Sequence, residues 1–301
     1  MRGRLSRTDV LVLCVVLIWA ASFSVVKFGL REMGPLSFAT LRFMAGALFL
    51  LAWVCVVEGR PTIRREDWLR VVLVGLTAIG VYQAFFTVGL KYTTASNSSL
   101  MLATIPAWTA LFAAGSGQET VSRFQIVGIL FSFVGVGAII RGGDGQLAMT
   151  SETLVGDAMT IVAAGLSGLS TVLSKRLLSR YSSLRVMSVA MVCGSLFLVA
   201  IAVPEMATQE WTHISASTWL ALAFSAVPAA GFAYMIWFKS IGEIGASRTV
   251  IYNNLIPPVA IVIAVSTLGE TFTPLQAVGA VIVIAGVTLA RFAHARSARA
   301  T

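Results

Sequence analysis

The chain has 301 residues, of which 57% are hydrophobic and 12% charged, with a formal net charge of +9 and a mean hydropathy of +0.87. A soluble monomer of this size carries about 25% charged residues and has no way to bury so much apolar side chain. The composition excludes a soluble enzyme, a nucleic-acid-binding domain and a disordered chain, and leaves an all-α membrane protein.

Ten runs are apolar enough and long enough to cross a bilayer, near 9–29, 36–57, 69–90, 95–114, 124–140, 156–175, 185–203, 217–238, 246–267 and 274–292. Arg2, Arg4 and Arg7 ahead of the first run, with Ala20-Ala21-Ser22 at its end, resemble a secretory signal. We keep that run as a helix, because the internal repeat described below needs it. Most of the 22 basic residues fall on one side of the predicted membrane, in the segments around Arg7, Arg60–Arg70, Arg123, Lys175–Arg185, Lys239–Arg248 and Arg291–Arg299. The other side holds Lys27, Arg31, Lys91 and Arg141, and Arg42 alone lies within a span. The positive-inside rule then places both termini in the cytoplasm. It also explains the basic charge without a nucleic-acid partner. Cys14, Cys55 and Cys193 sit in apolar runs with no metal-ligand or disulfide spacing, so they read as small apolar residues.

The two halves of the chain repeat each other. At an offset of 148, Asp9 matches Asp157, Lys27 matches Lys175, and Gly46, Leu48, Phe49 and Leu50 match Gly194, Leu196, Phe197 and Leu198. At an offset of 151, Ala95-Ser96 matches Ala246-Ser247, Ile105-Pro106 matches Ile256-Pro257, and Glu119-Thr120 matches Glu270-Thr271. Gln125, Gly128 and Gly135 likewise match Gln276, Gly279 and Gly286. Five spans per unit is an odd number, so the second unit enters the membrane from the opposite side. The expected architecture is ten transmembrane helices in two inverted five-helix repeats: residues 1–141, an outer linker at 142–155, residues 156–292, and a cytoplasmic tail at 293–301.

Trp19-Ala20-Ala21-Ser22-Phe23 with Lys27, Leu41-Arg42-Phe43, and the twice-occurring Ala-Ser, Ile-Pro, Glu-Thr, Gln, Gly, Gly series resemble the drug/metabolite transporter superfamily, in its ten-helix EamA-type branch. Within that branch the chain looks most like the YddG-type aromatic amino-acid exporters. The resemblance implies a central cavity built by helices 1–4 and 6–9, with helices 5 and 10 peripheral. Distant four-helix exporters of the superfamily carry a membrane glutamate in helix 1, where this chain has Trp19-Ala20-Ala21-Ser22.

A solute pathway needs polar groups at membrane depth and backbone that can bend. Pro106, Pro228, Pro257 and Pro258 fall within predicted helices 4, 8 and 9, as hinge or gate positions or as packing kinks. Arg42 either faces a substrate carboxylate or gate, or bonds nearby carbonyls as an anchor. Lys27 and Lys175 read as partners of helix C-termini, and Glu119 and Glu270 as helix caps. Trp19, Tyr82, Gln83, Phe86, Asn97, Trp108, Tyr234, Trp237, Tyr252, Asn253 and Asn254 fall in helices assigned to the cavity. Each can be simple packing; together they form an aromatic wall with a few polar groups, suited to an aromatic or large neutral side chain.

No Asp or Glu falls in the middle of a predicted span, and Asp9 and Asp157 are expected at helix entrances. No metal, cofactor or catalytic constellation is expected, and His213 and His294 lie in a loop and the tail. The expected protein is a bacterial inner-membrane exporter of amino acids and related small metabolites, working by alternating access, facilitated or weakly proton-coupled. Its partners are a small-molecule substrate and membrane lipid, and it is a monomer or weak dimer. A multidrug efflux carrier and a non-transporting membrane scaffold are the alternatives. One basic group at depth is too few for nucleotide sugars.

Overall fold

The structure, a computed structural model, describes residues 7–118, 123–142, 151–244 and 252–300. Those residues are helical apart from their connections, with no strand among them. Eight helices are long and apolar enough to cross a membrane. We label them α1 (Arg7–Gly29), α2 (Pro35–Val57), α3 (Arg65–Tyr92), α4 (Ala95–Gly115), α5 (Arg123–Arg141), α6 (Glu152–Leu178), α7 (Ser183–Thr208) and α8 (Ala216–Trp237). Two shorter apolar helices follow, α9 (Tyr252–Leu268) and α10 (Pro274–Leu289).

The ends of these helices differ from the sequence expectation where no Gly or Pro marks a stop. The helix of α6 begins at Ser151, so the 151–155 part of the expected linker is its first turn, with Glu152 favourably placed near the N-terminus. The helix of α10 runs on to Ala300 through an Ala- and Arg-rich stretch, so most of the expected tail is helical.

Four helices are not continuous α-helix. α3 contains a π-helical segment, Leu76–Gly80, and α8 contains another, Ser225–Phe232, around Pro228. α4 is two α segments, Ala95–Leu102 and Ile105–Gly115. α9 opens with a 3-10 turn, Tyr252–Leu255, before Ile256–Leu268. Pro106 and the Pro257-Pro258 pair therefore sit in the first turn of a new segment, not mid-helix as expected. At that position the missing N–H leaves no hydrogen bond broken. Pro204, just past the apolar run, lies inside α7.

Helix directions follow from side-chain and backbone contacts. Ser188 donates to the Leu50 carbonyl at 3.3 Å, and Ser195 to the Phe43 carbonyl at 3.0 Å, so α2 and α7 run antiparallel. Gly135 packs on Gly279 and Gly128 on Gly286, so α5 and α10 also run antiparallel, backbone against backbone. α2 instead lies parallel to α8, with Gly46 on Ala230 and Phe49 on Gly231. α7 lies parallel to α3, with Gly194 on Ile79 and Phe197 on Gly80.

Charged side chains tie the helix ends together. Lys27 donates to the carbonyls of Leu90, Lys91 and Thr93 at the C-terminus of α3. Glu270 accepts from the Ala95 and Ser96 amides at the N-terminus of α4, at 2.7 and 3.0 Å. Each charge meets the end of the helix dipole that attracts it. Both cap a neighbouring helix rather than their own. Glu119 lies outside the described residues; Lys175 is exposed and engaged. Glu205 of α7 caps the start of α2 through Ser37, and Glu58 after α2 accepts from Ser182, the N-cap of α7.

Candidate functional site

The π-helical segment of α8 organises the interior. Its wider turns free carbonyls from the regular ladder, and Pro228 supplies no N–H. Two of its carbonyls accept side-chain donors from other helices. Trp19 of α1 donates through Nε1 to the Ala229 carbonyl at 3.1 Å, and Arg42 of α2 donates through Nε to the Ser225 carbonyl at 3.2 Å.

Around these anchors the structure collects aromatic rings. Trp19 packs against Tyr234 at 5.3 Å between ring centroids and against Trp237 at 5.0 Å. Tyr252 joins the same cluster. On α3, Tyr82 stacks on Phe86 at 6.0 Å, and Phe86 meets Phe23 of α1 edge to face. Tyr82 and Tyr234 both lie within electrostatic reach of Arg42 and of each other.

Arg42 is 6% exposed, and its guanidinium lies 4.9 Å from the Phe43 ring. No carboxylate pairs with it among the described residues. A buried cation without an anion is costly, and a guanidinium presents a planar fork matched to carboxylate. Arg42 thus anchors a carbonyl through Nε, and the rest of its fork has no acidic partner among the described residues.

Further polar atoms are buried without a partner on the same helices: Ser24 Oγ, Thr40 Oγ1, Gln83 Oε1, Thr87 Oγ1 and Ser225 Oγ. Most buried polar groups in proteins are satisfied, so a concentration of unsatisfied ones marks a place where ligand or water completes the set. Only Gln83 of these was expected from sequence. The spacing of Gln83 and Thr87, one turn apart on α3, was the available signal.

Other expected site residues lie elsewhere. Asn97 accepts from Gln276 of α10 at 2.9 Å through its side-chain oxygen, and its side chain also reaches Asp157. Trp108 packs on Phe112 and on Phe133 of α5, away from the Trp19 cluster, although its Nε1 has no partner. Asn253 Oδ1 has no partner, whereas Asn254 is engaged. Asp9 lies in the first turn of α1, as expected, and Asp157 in the second turn of α6, which starts earlier than its apolar run; they are 0% and 1% exposed. Tyr252 donates to Asp9 at 2.8 Å, and Thr93 donates to Asp157.

A pocket of about 430 Å³ opens at one end of the molecule, lined by Glu32, Glu205, Thr208, Gln209, Glu210 and His213. Its carboxylates are in use: Glu205 caps α2, Glu32 caps α8 through the Ser215 amide at 2.8 Å, and Glu210 holds His213. Glu32 is held below its ordinary pKa of 4.5 by the Ser215 hydroxyl and amide and by Thr218. No group of three His, Cys, Asp or Glu side chains could hold a metal ion among the described residues.

A family model described as the EamA-like transporter family matches residues 6–141 and again residues 154–292. The chain belongs to the EamA-like transporter family. It is 30% identical over 284 residues to an uncharacterised transporter of Archaeoglobus fulgidus, spanning 94% of this chain and 97% of that protein. It is also 30% identical over 288 residues to a protein of Streptantibioticus cattleyicolor named a probable terminal-alkyne amino-acid exporter, spanning 95% and 94%. A protein of Salmonella typhimurium named a probable amino-acid metabolite efflux pump is 30% identical over 294 residues, spanning 94% of each chain. A solved crystal structure superposes with a TM-score of 0.65 at 17% identity, over 97% of this chain and 99% of that one, and shares the fold. This EamA-like protein is therefore a membrane transporter rather than an enzyme, with bacterial and archaeal relatives.

Proposed function

We propose that this transporter exports zwitterionic amino acids, aromatic or large neutral ones foremost, across the cytoplasmic membrane by alternating access. The observation that carries the reading is Arg42: a buried guanidinium with no carboxylate partner among the described residues, within electrostatic reach of Tyr82 and of Tyr234, which packs on Trp19. The substrate carboxylate completes the guanidinium fork. The aromatic faces take its side chain, and the unpaired oxygen of Gln83 accepts from its ammonium. The names of the Streptantibioticus and Salmonella relatives agree with this substrate class.

Alternating access rests on two inverted units, residues 1–141 and 156–292 in ten spans, with both termini cytoplasmic. The antiparallel runs of α2 with α7 and of α5 with α10 support this reading, because each pair holds matching positions of the repeat. So do the helix interruptions. Leu76–Gly80 in α3 and Ser225–Phe232 in α8 cover positions 151 residues apart, as do Pro106 and Pro257. Bends at such points let one unit rock against the other.

Exchange of labelled amino acids in proteoliposomes tests the proposal. Saturable uptake, competed by large neutral amino acids and not by their decarboxylated amines, is the expected result. Equal competition by the amines removes Arg42 from the site, and protection against cationic drugs with no amino-acid flux replaces the reading with multidrug efflux.

A further inference from the structure

Asp157 is the buried acid that the proposed transport cycle leaves without a task. Its side chain lies where α6 meets the turn between α3 and α4. Backbones approach closely there: a Cβ on Gly156 would lie 2.8 Å from the Gly89 carbonyl oxygen and 2.8 Å from the Thr93 amide. Oδ1 accepts from the Thr93 hydroxyl, while Oδ2 is buried with no hydrogen-bond partner. The Asn97 side chain reaches the same carboxyl, and with its oxygen held by Gln276 its amide N–H is the group available to Asp157.

The charged and titratable groups on the elements around it are all occupied or turned outward. Lys27 of α1 spends its ammonium on the Leu90, Lys91 and Thr93 carbonyls. Glu270 of the α9–α10 turn is held by Ala95 and Ser96. Lys91 and Tyr92 of α3, Glu152 of α6 and Arg141 of α5 are exposed. No ion pair reaches Asp157 among the described residues. An ionised carboxylate with an unpartnered buried oxygen costs free energy that protonation removes.

We propose that Asp157 is a proton-binding site that locks α6 against the α3–α4 turn when it is protonated. Closure of this end of the molecule takes up one proton onto Oδ2, converting carboxylate to carboxylic acid. Parting of α6 from Thr93 admits water and releases that proton to the same side. The proton site stands without the amino-acid reading; only its effect on flux rests on that reading.

Infrared titration of the purified full chain needs no substrate and keeps the two apart. A carboxylic C=O band that bleaches as pH rises in the wild type, is absent in Asp157→Asn and persists in Asp9→Asn is the expected result. Thr93→Val, which removes the hydroxyl donor to Oδ1, displaces the midpoint by about one pH unit; it also serves if Asp157→Asn does not fold. A wild type with no titrating carboxylic band, a band that survives Asp157→Asn, or a midpoint unmoved by Thr93→Val overturns the proposal. In proteoliposomes, Asp157→Asn flattens the pH profile of exchange, and an unchanged profile contradicts the coupling.

Discussion

The contact of α2 with α8 and the contact of α7 with α3 are built alike and equipped differently. Gly46 on Ala230 has its counterpart in Gly194 on Ile79, and Phe49 on Gly231 in Phe197 on Gly80, each pair shifted by the repeat offsets. Both contacts press a helix against a π-helical segment. Arg42, however, corresponds to Ala190, and Pro228 corresponds to Thr77, whose hydroxyl donates to the Leu73 carbonyl at 2.7 Å. The packing was duplicated and the chemistry was placed once. Residues that match across the repeat are scaffold, and the unmatched ones at the same depth are candidates for the site.

The duplicated packing predicts the largest effect. A Cβ on Gly194 would stand 2.5 Å from the Gly75 carbonyl and 2.6 Å from the Ile79 Cβ. Gly194→Val is expected to cost about 3 kcal/mol, read as a lowered melting temperature in detergent, with Gly46→Val acting the same way at the matching contact. Gly137, on the open side of α5 with nothing within 4 Å, is the control: Gly137→Ala gains about 0.5–1 kcal/mol. A Gly194→Val protein as stable as the wild type breaks the parallel between the two contacts.

The unmatched residues predict loss of flux. Arg42→Met removes both the carboxylate fork and the donor to the Ser225 carbonyl. Exchange is expected to fall about tenfold or more, the equivalent of one charge-assisted hydrogen bond. Thr77→Val, at the counterpart of Pro228, leaves exchange within about twofold. Equal losses at both positions mean that the two contacts do not differ in function. Trp19→Phe keeps the ring but not the donor to the Ala229 carbonyl. It is expected to cost about 1 kcal/mol of stability and to raise KM more than it lowers kcat.

The smallest effect lies at the helix ends. Glu32 caps α8 through Ser215, while the position 148 residues on, Arg180, pairs with Asp67 at the start of α3, 3.0 Å away. One repeat position thus binds a helix start as an acid and the other as a base. Because Glu32 is held below its ordinary value of 4.5, its contribution is complete above that pH and is lost as pH falls through the lowered value. Glu32→Gln is expected to flatten that acid arm of the melting profile and to leave neutral pH little changed. An acid arm of unchanged steepness removes Glu32 from the account.

Eight of the ten expected spans were legible because a bilayer demands length and apolarity, and both are written locally in the sequence. Helix ends were less so: α6 begins earlier than its apolar run, since a helix needs no apolar residues in its first turn. The π-helical segments carry no local signature beyond Pro228, and α3 has one with no proline at all. The aromatic group around Trp19 was readable as a collection, but not its focus on the Ala229 and Ser225 carbonyls, which requires knowing that α1 and α2 both face α8. The bond of Asn97 with Gln276 was hidden for the same reason, since the two are 179 residues apart. Asp157 looked like a helix entrance because nothing near it in the chain announces Thr93.

The proposed inversion can be tested most directly at Arg31 and Ser179, exposed positions 148 residues apart in the α1–α2 and α6–α7 connections. With Cys14, Cys55 and Cys193 replaced, a single cysteine is placed at one position or the other and exposed to a membrane-impermeant thiol reagent in intact cells. Labelling of position 31 from outside, and of position 179 only after the membrane is opened, is the predicted result. Labelling of both from the same side would mean that the two units point the same way, and alternating access between inverted halves would be contradicted.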